Sequence, residues 1–287
     1  MSISHRSSRR LRRAASFALL ACGGLLACLA GTGSAQASTL PTLTLTVTKT
    51  SITVSGATQS GAVNVVSTGT GTKEGSAILF LLKPGVSVAE VYAFLEQKKR
   101  VKDPNNASKY GSIVFDAEAP PAPGSETQTY LQPGQYVALS LEGEGGPKAH
   151  TSFTVSAAAA PMALPTPQAT VRSIEFGFRG PSILHDGELV RFENEGFLVH
   201  MDFAVPVKSK RAAQQAVRDL LAGREKAVEK LIVGAPVSFA GPLSHEAFQQ
   251  ETITAKPGWY VQVCFMETQD GRDHTRLGME RIIKIVK

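Results

Sequence analysis

Pro257-Gly258-Trp259-Tyr260-Val261-Gln262-Val263-Cys264 is the stretch that decides the fold. Its turn residues lead into a run that alternates bulky and polar positions, the pattern of a strand leaving a tight turn. The same stretch occurs earlier as Pro133-Gly134-Gln135-Tyr136-Val137-Ala138-Leu139-Ser140, without a gap and 124 residues upstream. That offset also carries Phe115 onto Phe239, His150-Thr151 onto His274-Thr275 and Val155 onto Met279. Self-similarity at a fixed spacing points to a duplicated domain.

Each copy has the same order of elements. Leu43–Thr48, Ser51–Val54 and Ala62–Val66 alternate β-branched and polar residues, which predicts half-buried strands. Ile78–Leu82 reads as a buried strand, and Val88–Lys99 places Val88, Val91, Tyr92 and Leu95 at helical spacing. Tyr136–Leu141 and Thr151–Val155 close the first copy. In the second, Gly187–Glu193 and Val199–Val205 read as strands, and Lys208–Ile232 holds a helix that Gly223 breaks in two. Ala247–Ala255, Tyr260–Phe265 and Ile282–Val286 finish it. Short strands, Gly/Pro turns and one helical insertion per copy predict β-sandwiches.

The chain is expected to divide into residues 1–37, a first domain over 40–156, an Ala/Pro-rich linker over 157–169 and a second domain over 170–287. The first segment joins Arg6, Arg9, Arg10, Arg12 and Arg13 to an apolar run from Phe17 to Ala30 and the exit Ala35-Gln36-Ala37, which reads as a secretory signal. The run is too short and Gly-rich for a membrane span. Cys22 and Cys28 each sit in a lipoprotein-like context, so a lipid anchor is the alternative to the Ala37 exit. The export expected is periplasmic, secreted or to the cell surface.

Most of the net charge of +6 belongs to that segment, which holds five arginines and no acid. The remainder has 25 basic and 24 acidic side chains, no footprint for nucleic acid. Removing the signal also leaves Cys264 alone, a free thiol in oxidising surroundings. Cysteine of this kind is either a small buried hydrophobe or a chemically held thiolate.

Asn194-Glu195-Gly196-Phe197-Leu198-Val199-His200 places a histidine just after a Gly-containing turn. Cys264 follows, then His274 after nine intervening residues and Met279 after four more. This order, with the Pro-Gly-x-Tyr strand, resembles the cupredoxins, the blue-copper proteins such as plastocyanin and the type 1 copper domain of nitrite reductase. The likeness covers about residues 170–287, with a degenerate copy in 40–156. The Cys-to-His loop is longer than plastocyanin's and nearer that of the nitrite reductase domain.

The resemblance implies two tandem cupredoxin-like Greek-key sandwiches. It implies one copper ion in the second domain, held by His200, Cys264, His274 and Met279. Two imidazoles, a thiolate and a weak thioether suit copper and one-electron transfer, which implies an unidentified redox partner protein. The first copy has Ser140 in place of Cys264 and no histidine near Gly75 to match His200, so it is not expected to bind metal. The five histidines after the signal (His150, His185, His200, His245, His274) form no His-x-His pair, which argues against multicopper oxidase chemistry and for an electron carrier over a catalyst. Two other functions compete: a metal-free structural or interaction module on the same fold, and a copper carrier using the same ligands.

Overall fold

A computed structural model describes residues 39–71, 75–97, 103–118, 127–141 and 147–287. The signal-like segment with Cys22 and Cys28 lies outside them. Among the described residues no helix is long and apolar enough to cross a membrane.

The first half contains β1 (Thr42–Thr48), β2 (Ile52–Gly56), β3 (Gly61–Thr70), β4 (Ser76–Leu82), α1 (Val88–Leu95), a 3-10 helix (Pro104–Lys109), β5 (Gly111–Glu118), β6 (Thr127–Leu131), β7 (Gly134–Leu141) and β8 (Pro147–Val155). The second contains β9 (Ala169–Ile174), β10 (Gly177–Arg179), β11 (Ile183–His185), β12 (Leu189–Asn194), β13 (His200–Val207), α2 (Lys210–Leu221), α3 (Glu225–Glu229), β14 (Val237–Leu243), β15 (Phe248–Thr252), β16 (Gly258–Val263), a 3-10 helix (His274–Leu277) and β17 (Glu280–Val286).

The strand order repeats. One four-stranded layer of the first half runs β2-β1-β3-β6, and its counterpart runs β10-β9-β12-β15. The facing layers run β5-β4-β7-β8 and β14-β13-β16-β17, the latter extended by β11. The opening strand of each half has a parallel partner, β3 for β1 and β12 for β9, and the other shared pairings are antiparallel. The expected fold class, mainly β sandwiches with helical insertions, is the observed one. The Pro-Gly-x-Tyr stretches open β7 and β16 in equivalent places. Each tyrosine hydroxyl donates to the carbonyl four residues upstream, Tyr136 to Gln132 at 2.9 Å and Tyr260 to Lys256 at 2.7 Å. The bond satisfies the one polar atom of a buried ring and pins the turn to its strand.

The register corrects one reading. His150 lies opposite Leu139, whereas Val263 lies opposite Glu280. The first pair is eleven residues apart and the second seventeen, so the ungapped offset stops at Cys264 and the loop that follows is six residues longer. By register His150 therefore matches Glu280, not His274, and Val155 matches Ile285, not Met279. His150 stands exposed on β8 and stacks on Tyr92 at 4.0 Å.

The two sandwiches are welded together. β6 pairs with β15 through Gln128↔Gln250 and Thr127↔Glu251, which makes one continuous eight-stranded sheet. Gln250 is buried there and fully engaged: Nε2 donates to Gln128 Oε1 and Pro165 O, and Oε1 accepts from Arg191. β5 and β14 also meet, where the Ser244 N–H donates to Ile113 O and the Ile113 N–H to Ser244 Oγ. Gly241 is required at this approach, because a Cβ there would stand 2.4 Å from Cγ of Asp116. Residues 157–168 have no regular structure and pack back on the first half, with Met162 O accepting the Ala62 N–H at 2.9 Å.

Each sandwich has its own apolar interior, the first around Leu43, Leu79, Phe115 and Tyr136, the second around Val190, Phe192, Phe239 and Ile285. A third core joins the outer faces of the two smaller layers. Ile78, Phe80, Ile113 and Val137 of the first half pack there with Met201, Phe203, Val263, Cys264 and Met279 of the second. Burial on both faces is why Ile78–Leu82 reads as a continuous apolar run. The helices cover the same core. Ser87 caps α1 in a reciprocal capping box with Glu90, and Ser209 caps α2, whose Ala213, Ala216 and Leu220 face inward. Gly223, at φ +66, separates α2 from α3 as its sequence position indicated.

Candidate metal centre

Neighbouring strands bring the four singled-out residues to one end of the five-stranded layer. His200 is the first residue of β13 and Cys264 follows the last residue of β16. These strands are paired, with Phe203 opposite Val263, so their ends lie side by side. His274 opens the 3-10 helix, and Met279 immediately precedes β17, the other neighbour of β16.

The loop between Cys264 and Met279 is closed by its own backbone. The Cys264 N–H donates to Met279 O at 3.2 Å, Met279 N–H to His274 O at 3.0 Å, and His274 N–H to Met266 O at 2.8 Å. Gly278, at φ +100, takes the left-handed position that ends the short helix and turns the chain into β17.

The turn before His200 is fixed by Asn194. Its Oδ1 accepts the Gly196 N–H, and its Nδ2 donates to Leu198 O and Leu243 O, each at 2.8 Å. Asn194 is buried, so these bonds satisfy polar atoms that would otherwise carry a desolvation cost of about 1–3 kcal/mol each. Gly196 lies directly under the imidazole: a Cβ there would stand 2.6 Å from His200 Nε2. The spacing Asn-x-Gly thus has a local reason, one residue to tie the turn and one to clear the ring.

Three donor atoms converge. Nδ1 of His200 and Nδ1 of His274 are 3.2 Å apart, and Sγ of Cys264 lies 3.4 Å from the latter and 3.8 Å from the former. The Met201 N–H points at the same sulfur from 3.4 Å. His200, Cys264, His274 and Met279 are all buried, and Met279 belongs to the same apolar cluster as Cys264. Among the described residues this is the one group of three His, Cys, Asp or Glu side chains close enough to share a metal ion.

The donor set fits a metal. Bonds of about 2.0 Å to imidazole and about 2.3 Å to thiolate are satisfied together by an ion near the middle of a triangle with these sides. Burial pulls the His200 imidazole down to about 3, with the His274 ring adding to it. Burial also brings His274 down to about 4, against the opposing carboxylates of Glu175 and Asp103. Both rings are therefore neutral at pH 7, the form that ligates.

Several contributors carried no sequence signal. Asn105, from the first half, accepts the Val199 N–H at 2.7 Å. Glu175 and Phe176 form the turn between β9 and β10, and Phe176 sets its ring edge-on to His274 at 5.3 Å. The remaining histidines stay apart: His185 and His245 are peripheral, His245 stacking on the exposed ring of Phe197.

No known family profile matches the sequence, and no curated protein matches it. Among solved structures the chain is similar to auracyanin B, at 14% identity over 43% of this chain and 93% of that one, with a TM-score of 0.26. It is similar to a dithionite-reduced auracyanin from Roseiflexus castenholzii, at 14% identity over 41% and 95%, TM-score 0.26. A copper-containing nitrite reductase from Thermus scotoductus spans more of it, 86% of this chain and 68% of that one, at 12% identity and TM-score 0.24. At these scores the overlaps add nothing to the strand order and the converging side chains, which stand by themselves.

Proposed function

We propose that this is an exported copper protein of cupredoxin type whose second domain holds one copper ion and passes single electrons to a protein partner. His200, Cys264 and His274 would hold the ion, with the thioether of Met279 as a weaker fourth donor. The observation that carries the reading is the convergence of two Nδ1 atoms and one Sγ within 3.2–3.8 Å in a buried pocket. Three such donor atoms directed at one point are held together by a shared proton or by a cation, and a thiolate with two neutral imidazoles selects copper or zinc over hard cations.

Copper bound there would supply a one-electron couple. The protein's part is to hold the ligands in one geometry through both oxidation states. His200 and Cys264 stand at the ends of paired strands, and the backbone-bonded loop fixes His274 and Met279. The Met201 N–H stabilises negative charge on sulfur. Surrounding apolar side chains exclude water, which limits solvent rearrangement on charge transfer. That burial favours electron transfer over a carrier role, because a carrier must release its metal. Among the described residues no second group of metal-ligating side chains accompanies the centre, and a carrier of electrons is the reading.

The first half, with Ser140 for Cys264 and Gly75 in the register position of His200, is read as a copy without the ligands that instead walls the centre. Titrating the purified protein from residue 38 onward with copper tests the proposal. One tightly held ion per chain is expected. No retained copper, or copper held equally after His200→Ala and His274→Ala, contradicts it.

A further inference from the structure

The turn between β9 and β10 places two consecutive side chains on the two imidazoles. Glu175 Oε1 stands 3.8 Å from His200 Nε2, and Phe176 packs against His274. His200 Nε2 is buried and makes no hydrogen bond, so this carboxylate is the polar group it faces. The same oxygen accepts the backbone N–H groups of Phe197 and Leu198, the latter at 3.1 Å. It therefore holds the outside of the turn that Asn194 holds from within. Gly196 leaves the space: a Cβ there would stand 2.6 Å from His200 Nε2 and 2.7 Å from Glu175 Oε1. Phe176 has φ +57, a conformation that costs a non-glycine residue energy and persists where surrounding structure enforces it. The corresponding connection in the first half, between β1 and β2, is Lys49-Thr50-Ser51, with neither acid nor aromatic. The clasp is present where the donors are and absent where they are not.

We infer that Glu175 is the positioning residue of the metal centre: its carboxylate keeps the proton of His200 on Nε2, so that the bare Nδ1 faces Cys264 and His274. A carboxylate beside the outer nitrogen of a ligating imidazole favours the tautomer with the proton on that nitrogen, here through charge at 3.8 Å, and raises the basicity of the inner nitrogen. Here it adds a negative charge close to the copper centre proposed above, on which the redox part of this inference rests. The charge stabilises the more positive oxidation state and so lowers the reduction potential. Because the oxygen also ties two turn amides, the carboxylate couples ring orientation to turn geometry.

Glu175→Gln separates charge from scaffolding, since its amide oxygen still accepts the two backbone N–H groups; Glu175→Ala removes both. Three readouts apply. Nitrogen-15 chemical shifts of His200 in the metal-free protein report the tautomer. Competition with a chelator for copper(I) reports affinity, and a redox titration reports the potential. Expected are an Nε2-protonated His200 in the wild type, a mixed tautomer in Glu175→Gln, copper binding weaker by about 10–100-fold and a higher potential, with Glu175→Ala weaker still. An Nδ1-protonated His200 in the wild type overturns the inference, as do unchanged affinity and potential in both variants. Should the wild type hold no copper, the copper proposal fails alone, and the tautomer comparison still decides the role of Glu175.

Discussion

Asn105 of the first half accepts the backbone N–H of Val199 at 2.7 Å, and Val199 is the residue before His200. The halves are thus joined at the threshold of the candidate metal centre as well as through the shared sheet. Asn105→Ala leaves a partly buried N–H without its acceptor, at a cost of about 1–3 kcal/mol. Denaturant unfolding should show that loss, and copper should dissociate faster from the variant. Asn105→Asp should not recover the loss, because the Nδ2 that donates to Asp103 Oδ1 at 2.9 Å becomes a carboxylate oxygen facing a carboxylate.

Gly196→Ala tests the clearance beneath His200. A methyl group has no room between the imidazole and Glu175, so the ring or the turn must move. Copper affinity is expected to fall by at least 10-fold while the circular dichroism spectrum of the β-sandwiches stays unchanged.

Ser140→Cys tests the reading of the first half. Introduced together with Cys264→Ser, the new thiol should not restore copper binding. Its strand register offers Gly75 where the second half has His200, and His150 lies exposed on β8 against Tyr92. Metal analysis after gel filtration is the check.

The seam between halves should give the protein a measurable pH response. Burial, and then the charges of Glu118 and Asp202, raise the Glu251 carboxyl well above its ordinary 4.5, against a hydrogen bond from Thr127. Burial also raises Glu118. In the window above 4.5 the folded state holds more protons than the unfolded chain, so stability falls as pH rises. Glu251→Gln should therefore unfold at a higher temperature than the wild type at pH 7, with the difference vanishing near pH 4. Thermal unfolding across that range is the measurement.

The convergence of His200, Cys264 and His274 was legible in the sequence because these residues travel with local signals. Asn194 and Gly196 mark the turn before His200, and Pro257-Gly258-x-Tyr260 marks the strand that delivers Cys264. The long regular strands were legible for a similar reason: β1, β3, β4, β13 and β16 alternate or run apolar. β15 was read within Ala247–Ala255, but its polar-paired neighbour was not. β6, Thr127–Leu131, was not picked out, and in it Thr129 is buried because its hydroxyl donates to Phe248 O at 3.0 Å. Gln250, wholly buried in β15, reads as a surface residue until Gln128, Arg191 and Pro165 are seen around it. β14 is interrupted by Gly241-Pro242, which suggests a loop, yet Gly241 is what lets β5 approach. Asn105 and Glu175 belong to no motif with the ligands; only folding places them. The six extra residues after Cys264 show the limit of an ungapped repeat, since they form the loop that carries His274.

The visible absorption spectrum of the copper-loaded protein, beside that of Cys264→Ser, tests the central claim most directly. An intense thiolate-to-copper(II) band is expected in the wild type, with the band and the tightly bound copper both lost in Cys264→Ser. A colourless copper-treated wild type, or a variant that keeps the same copper content and spectrum, would contradict a copper centre built on Cys264.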